Sequence, residues 1–228
     1  MKTCPFCLKK YDKLTEEHIF PTSWYPENLP PNTEKWKAPS CRSCNEEFGK
    51  IEQKTLIFVC LASDPKNPLS RPALNKAMRS LNPNLGRDAR DKAARLKMLR
   101  EILENSQSMF GSSLKPFPNF GYHEGFDPRI QRGIKIPAGL EKIGEKFIRG
   151  IEYRLTERII DKNYSVGVYF CHADAVQDVI NLVRRGQKTE FAPGIEFYRA
   201  ATPNDNSILY QIKIWDKLVI YGSLVETR

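Results

Sequence analysis

The residues best suited to chemistry are two cysteine pairs near the start of the chain. Cys4-Pro5-Phe6-Cys7 and Cys41-Arg42-Ser43-Cys44 are CxxC motifs with 33 residues between them. Two intervening residues let both sulfurs of a pair turn toward one ion, and four thiolates complete a closed tetrahedral Zn2+ site of the structural kind. Cys4, Cys7, Cys41 and Cys44 are thus the expected ligands of a structural zinc. Two separate redox motifs are the alternative, but they leave the residues between the pairs without a role. Among these lies Thr15-Glu16-Glu17-His18-Ile19-Phe20-Pro21. A histidine beside a carboxylate can act as a general base while the carboxylate holds a metal. Asn45 follows the second pair directly, and its side-chain oxygen is a hard donor suited to Mg2+ or Mn2+. Taken singly these are weak signals: a lone histidine such as His18 is more often structural, and an Asn after a CxxC, such as Asn45, is often a helix cap. Cys60 and Cys171 sit alone in apolar stretches and read as buried thiols. His123 and His172 have no motif around them.

The order of these parts resembles the HNH (His-Me finger) endonuclease family over about residues 3–52. Glu17-His18-Ile19-Phe20-Pro21 is similar to that family's acidic-His-Ile-x-Pro signature, and Cys41-Arg42-Ser43-Cys44-Asn45 to its second zinc knuckle with the closing Asn. The resemblance implies a ββα-metal fold, with the histidine ending the first strand and the asparagine starting the helix. It further implies that His18 activates the attacking water, while Glu17 and Asn45 ligate a catalytic Mg2+ or Mn2+. The implied activity is hydrolysis of DNA phosphodiester bonds, with defence against foreign DNA, mobile-element biology and repair all open as its setting. A zinc finger that binds DNA or RNA without cutting it is the alternative. One departure stands out. The family's middle Asn, which steadies the loop carrying the histidine, falls about five residues before the third cysteine, where this chain has Trp36. Asn28 and Asn32 are candidate substitutes. Glu52 is a candidate to approach the metal, with a surface ion pair as the alternative.

The net charge of +9 is concentrated in the middle of the chain. Residues 70–160 carry 18 Lys and Arg against 10 Asp and Glu, whereas residues 1–54 carry 9 against 8 and residues 161–228 carry 8 of each sign. Such clustering is a plausible footprint for a phosphate backbone, and also for a solvated helix face. Arg90, Lys97 and Arg100 are the strongest candidates for nucleic-acid contact, with Arg42 and Lys50 as secondary ones. No helix-turn-helix or other base-reading motif is present, so duplex DNA would be held without sequence preference.

The elements needed to position these groups follow an α+β plan. Residues 1–54 are expected to form the zinc-stabilised ββα-metal (HNH) module, 55–137 a helical basic segment with a long connection, and 138–228 a C-terminal α+β domain. That last domain, with a small antiparallel sheet, carries no catalytic constellation and is a candidate site for a protein partner. Periodicity predicts helices over 51–62, 72–81, 88–105, 140–155 and 174–184. In the third of these, Ala89, Ala93, Leu96, Leu99 and Leu103 form the apolar stripe. Strands are predicted over 164–171, 195–200, 208–214 and 218–225, the last two joined as a hairpin around Trp215-Asp216-Lys217. No stretch is apolar enough to span a membrane, and the N-terminus lacks the apolar core of a secretion signal. Together these features predict a cytoplasmic protein whose thiols stay reduced.

Overall fold

The computed structural model describes residues 1–26, 29–62, 67–108, 132–134, 139–171, 177–202, 206–215 and 218–227. The architecture is mixed α+β, with five α-helices and one five-stranded antiparallel sheet among these residues. A two-stranded ribbon opens the chain: β1 (Lys2–Thr3) pairs with β2 (Lys10–Tyr11). A second ribbon follows, β3 (Thr15–His18) against β4 (Lys37–Ser40), with His18 opposite Lys37 and Thr15 opposite Ser40. The chain then enters α1 (Arg42–Ala62), α2 (Arg71–Leu81) and α3 (Ala89–Glu104).

The connection after α3 is described only where β5 (Ser106–Ser108) pairs with β6 (Arg132–Ile134); the rest, including His123, lies outside the described residues. Next comes α4 (Leu140–Thr156). The large sheet comprises β7 (Tyr164–Tyr169), β8 (Gln187–Ala192), β9 (Ile195–Ala201), β10 (Ser207–Ile214) and β11 (Leu218–Glu226), in the order β7-β11-β10-β9-β8. The short helix α5 (Gln177–Val183) packs on β9 and β10.

α1 begins at Arg42, near the Asn45 start that the resemblance implies and well before residue 51, where periodicity puts it. Cys44, Phe48 and Thr55 turn inward along it, so the segment after the second cysteine pair is already helical. β8 was not expected: Gln187-Lys188-Thr189-Glu190 has too little apolar alternation to read as a strand, and it is the edge of the sheet. The hairpin joining β10 and β11 forms with Ile214 opposite Leu218, while Asp216 and Lys217 lie outside the described residues, as does His172.

α3 turns a different face inward from the expected stripe. None of its residues is buried; Leu96 and Leu103 are exposed. Met98 and Ile102 pack against the core instead, and Arg95 folds back onto Asp91 and donates to the Arg79 carbonyl at 2.6 Å. The leucine spacing fits a helix but does not say which of two neighbouring stripes meets the protein.

α4 links the N-terminal ribbon to the sheet. Leu140, Ile143, Phe147, Ile148 and Ile151 are buried along it, and it packs against α1, β4, β7 and β11. At Gly150 the helix lies so close to the chain after β3 that a Cβ would meet Ile19 Cγ1 at 2.9 Å. The buried hydrophobic cluster therefore runs unbroken from Ile19, Phe20 and Trp24 through Phe147 to Ile212 and Ile220.

Candidate metal and acid–base site

The first cysteine pair sits on a tight turn at the tip of the β1–β2 ribbon. Leu8 N–H donates to the Cys4 carbonyl at 2.8 Å and Cys4 N–H to Lys9 O at 3.0 Å, with Leu8 in the left-handed region at φ 63. The second pair lies where β4 hands over to α1. Cys41 N–H donates to Cys4 Sγ at 3.4 Å, and the Cys7 and Cys41 sulfurs are 3.7 Å apart. All four sulfurs lie within 4.8 Å of one another.

The donor set fits Zn2+: four soft ligands, three of them buried, close enough to share one ion. Burial pushes the Cys4 thiol up. It acts the same way on Cys41, but hydrogen bonds from Ser43 and the Cys44 backbone outweigh it and bring that thiol to about 6. A thiolate is thus favoured at one corner, and a cation would relieve the cost of ionising the others. Phe6 and Phe48 pack edge to face beside the cluster with centroids 5.1 Å apart.

The strand–strand–helix sequence β3, β4, α1 places the remaining candidates. His18 ends β3 and Asn45 lies in the first turn of α1. The Asn45 side-chain N–H2 reaches back to β3, 3.4 Å from both the Glu16 carbonyl and Thr15 Oγ1. Trp36, at the position of the resembled family's middle Asn, steadies the histidine loop through its backbone: Ile19 N–H donates to the Trp36 carbonyl at 2.9 Å. Its ring is anchored edge-on against Phe191, with centroids 4.5 Å apart. Asn28 lies outside the described residues, and Asn32 is exposed.

Beyond His18 the chain dives into the core. Phe20 packs on Phe147 and Phe191 with centroids 4.7 Å from each, and Trp24 on Phe147 at 5.8 Å. His18 is half-buried, and its Nδ1 has no hydrogen-bond partner among the described residues. Burial, reinforced by Lys37 and only partly opposed by Glu17, holds its pKa below the ordinary histidine value. The imidazole is therefore neutral at neutral pH, the form that accepts a proton.

Successive strand residues project to opposite faces, and Glu17 follows that rule. It is buried, and its Oε1 accepts from Lys146 Nζ of α4 at 2.6 Å. Glu52, one turn beyond Phe48 on α1, accepts from the same ammonium. Burial and the neighbouring Glu17 push the Glu52 carboxyl up, against the pull of Lys146. An oxygen donor set of this kind suits a hard cation, and the Lys146 ammonium already stands where positive charge is received.

Lys146 was not legible as a site residue. The available signal was a lysine within the Ile143–Phe147–Gly150 stripe of an otherwise apolar helix face.

Arg42 and Lys50 are exposed on α1, with Arg42 Nε held by Glu46 at 2.7 Å. Arg90, Lys97 and Arg100 are exposed along α3. Cys60 is fully buried in α1 and Cys171 half-buried after β7. No helix among the described residues is long and apolar enough to cross a membrane. No protein-family model, curated protein or solved structure matches the chain.

Proposed function

We propose that the chain is a metal-dependent endonuclease of the HNH type, acting on DNA phosphodiester bonds at the end of β3. The observation that carries this reading is the pairing of a neutral, half-buried His18, its Nδ1 without a partner among the described residues, with Asn45, whose side chain reaches the same strand. A structural histidine with a buried ring nitrogen would ordinarily be hydrogen-bonded.

In this mechanism His18 accepts the proton of the attacking water, and its depressed pKa keeps it ready to do so at neutral pH. Glu17 and Asn45 are the oxygen donors that would hold a divalent ion. When bound, such an ion supplies charge neutralisation at the phosphate and at the leaving oxygen. A zinc ion on the four cysteines would fix the β3–β4–α1 frame that carries His18 and Asn45. Exposed Arg90, Lys97 and Arg100, with Arg42 and Lys50, would hold the phosphate backbone without reading bases.

The test is His18→Ala. Cleavage should fall by at least ~100-fold, the scale of a lost general base, while zinc content and DNA affinity stay as in the wild type. Near-normal cleavage by the folded variant would remove His18 from the chemistry. A second reading, a zinc-stabilised module that binds nucleic acid without cutting, is favoured by one observation: the Glu17 carboxylate is already paired with Lys146. Under that reading the wild type binds DNA and leaves it intact at every Mg2+ or Mn2+ concentration.

A further inference from the structure

Lys146 comes from α4, 129 residues after Glu17 in sequence, yet it is enclosed within the candidate site. Its side chain is 0% exposed, whereas those of Glu17 and Glu52 retain 9% and 13%. The ammonium donates to Glu17 Oε1 and to Glu52 Oε1, and lies 5.1 Å from the centre of the Phe48 ring. Two carboxylates and one aromatic face thus surround the three N–H bonds of a buried cation. Its hydration is replaced by these contacts, which come from β3 and α1. A buried charge with this many partners has high geometric specificity and is costly to leave unpaired.

We propose that Lys146 is the resident counter-cation of the Glu17–Glu52 pair, and that it acts as a positioning residue setting how strongly Glu17 can take a divalent ion. The inference rests on the reading of Glu17 as an oxygen donor for such an ion. Both cations are drawn to the same carboxylate. A divalent ion arriving at Glu17 meets the positive charge of Lys146 at close range, where little solvent screens it. The ammonium therefore weakens ion binding while keeping the carboxylate folded inward in the ion's absence. Lys146 lies on the helix that also packs against β7 and β11, so the counter-charge of these N-terminal carboxylates comes from an element held by the C-terminal sheet.

The experiment is a Mn2+ titration of the full-length, zinc-loaded protein, with free Mn2+ followed by electron paramagnetic resonance. Lys146→Met keeps an unbranched side chain one atom shorter and removes its charge; Mn2+ should then bind at least about tenfold more tightly than to the wild type. Lys146→Arg keeps the charge and should bind Mn2+ like the wild type. Lys146→Met alone leaves two carboxylates facing each other and can fail to fold. The double variant Lys146→Met with Glu52→Gln removes one charge of each sign and should also bind Mn2+ more tightly than the wild type. Unchanged or weaker binding by either folded variant, with normal affinity in the wild type, overturns the role of Lys146 alone. Absence of Mn2+ binding in the wild type and all variants overturns the ion-binding reading of Glu17 and this inference with it.

Discussion

At the scale of single residues, the candidate chemistry rests on what each side chain faces. His18 and Glu17 are neighbours on β3 but meet different surroundings. His18 keeps a ring nitrogen without a partner among the described residues, while Glu17 is paired with Lys146. The depressed pKa of His18 has a defined consequence for rate. Its base form persists as the pH falls through the ordinary histidine range, so cleavage should hold from neutral pH down to about 6.5 and decline only below it. A pH–rate profile checks this; a decline already complete above that value would assign the base to another group. Asn45→Ala should leave one zinc per chain, because Asn45 is not a sulfur ligand, and should impair only Mg2+- or Mn2+-supported cutting. Loss of zinc in that variant, measured by elemental analysis, would merge the two sites into one.

At the scale of elements, the short motifs made the β3–β4 pair and the start of α1 legible through the resemblance they carry, whereas the β1–β2 ribbon was not expected. Each of these depends on contacts within 45 residues of sequence. Only a small cluster around Phe6 and Phe48 surrounds the four cysteines, so a zinc ion there would supply much of the local stability; Cys4→Ser or Cys44→Ser should release it and open the cysteine end of residues 1–54 first, as seen by hydrogen exchange. The charged residues of α4 were less legible, because lysine and glutamate on an apolar stripe acquire meaning only from partners far along the chain. Glu152 is the second case. Fully buried, it accepts from Arg199 Nε at 2.7 Å, Arg158 at 2.7 Å and the Tyr210 hydroxyl at 2.5 Å, tying α4 to β9 and β10. Burial alone would raise its pKa, but the hydrogen bonds from Arg199, Tyr210 and Arg158 prevail and lower it. A lowered carboxyl contributes stability that is present above the unfolded-state value and lost as pH falls through the folded one. Glu152→Gln should therefore cost about 2–3 kcal/mol at neutral pH, since it removes the charge that the partly buried Arg199 and Arg158 guanidinium groups face. The cost should shrink in acid below the usual carboxylate range. Denaturant unfolding of both proteins across pH measures this, and an equal difference at pH 7 and in acid would contradict it.

At the scale of the whole molecule, one buried cluster joins the ribbon that carries His18 to the large sheet, through Phe20, Trp24, Phe147 and Phe191. Sequence reading divides the chain by composition; it could not show that an aromatic run after a catalytic-type motif would be inserted among residues more than a hundred positions away. The charge distribution has a clearer reading. Residues 70–100 carry nine Lys and Arg against two Asp, and Arg90, Lys97 and Arg100 are exposed along α3. Removing these three together should weaken DNA binding for all sequences and flatten the dependence of affinity on salt by up to about three units. An unchanged slope would assign this charge to another surface. The central claim, that the chain cuts DNA with a divalent ion distinct from its structural zinc, is tested most directly on supercoiled plasmid. Purified zinc-loaded protein should convert it to nicked or linear forms when Mg2+ or Mn2+ is added and should stop when a chelator mild enough to leave the zinc in place removes that ion. Intact plasmid under every metal condition, with DNA binding retained, would contradict the account and leave the zinc-stabilised binding module in its place.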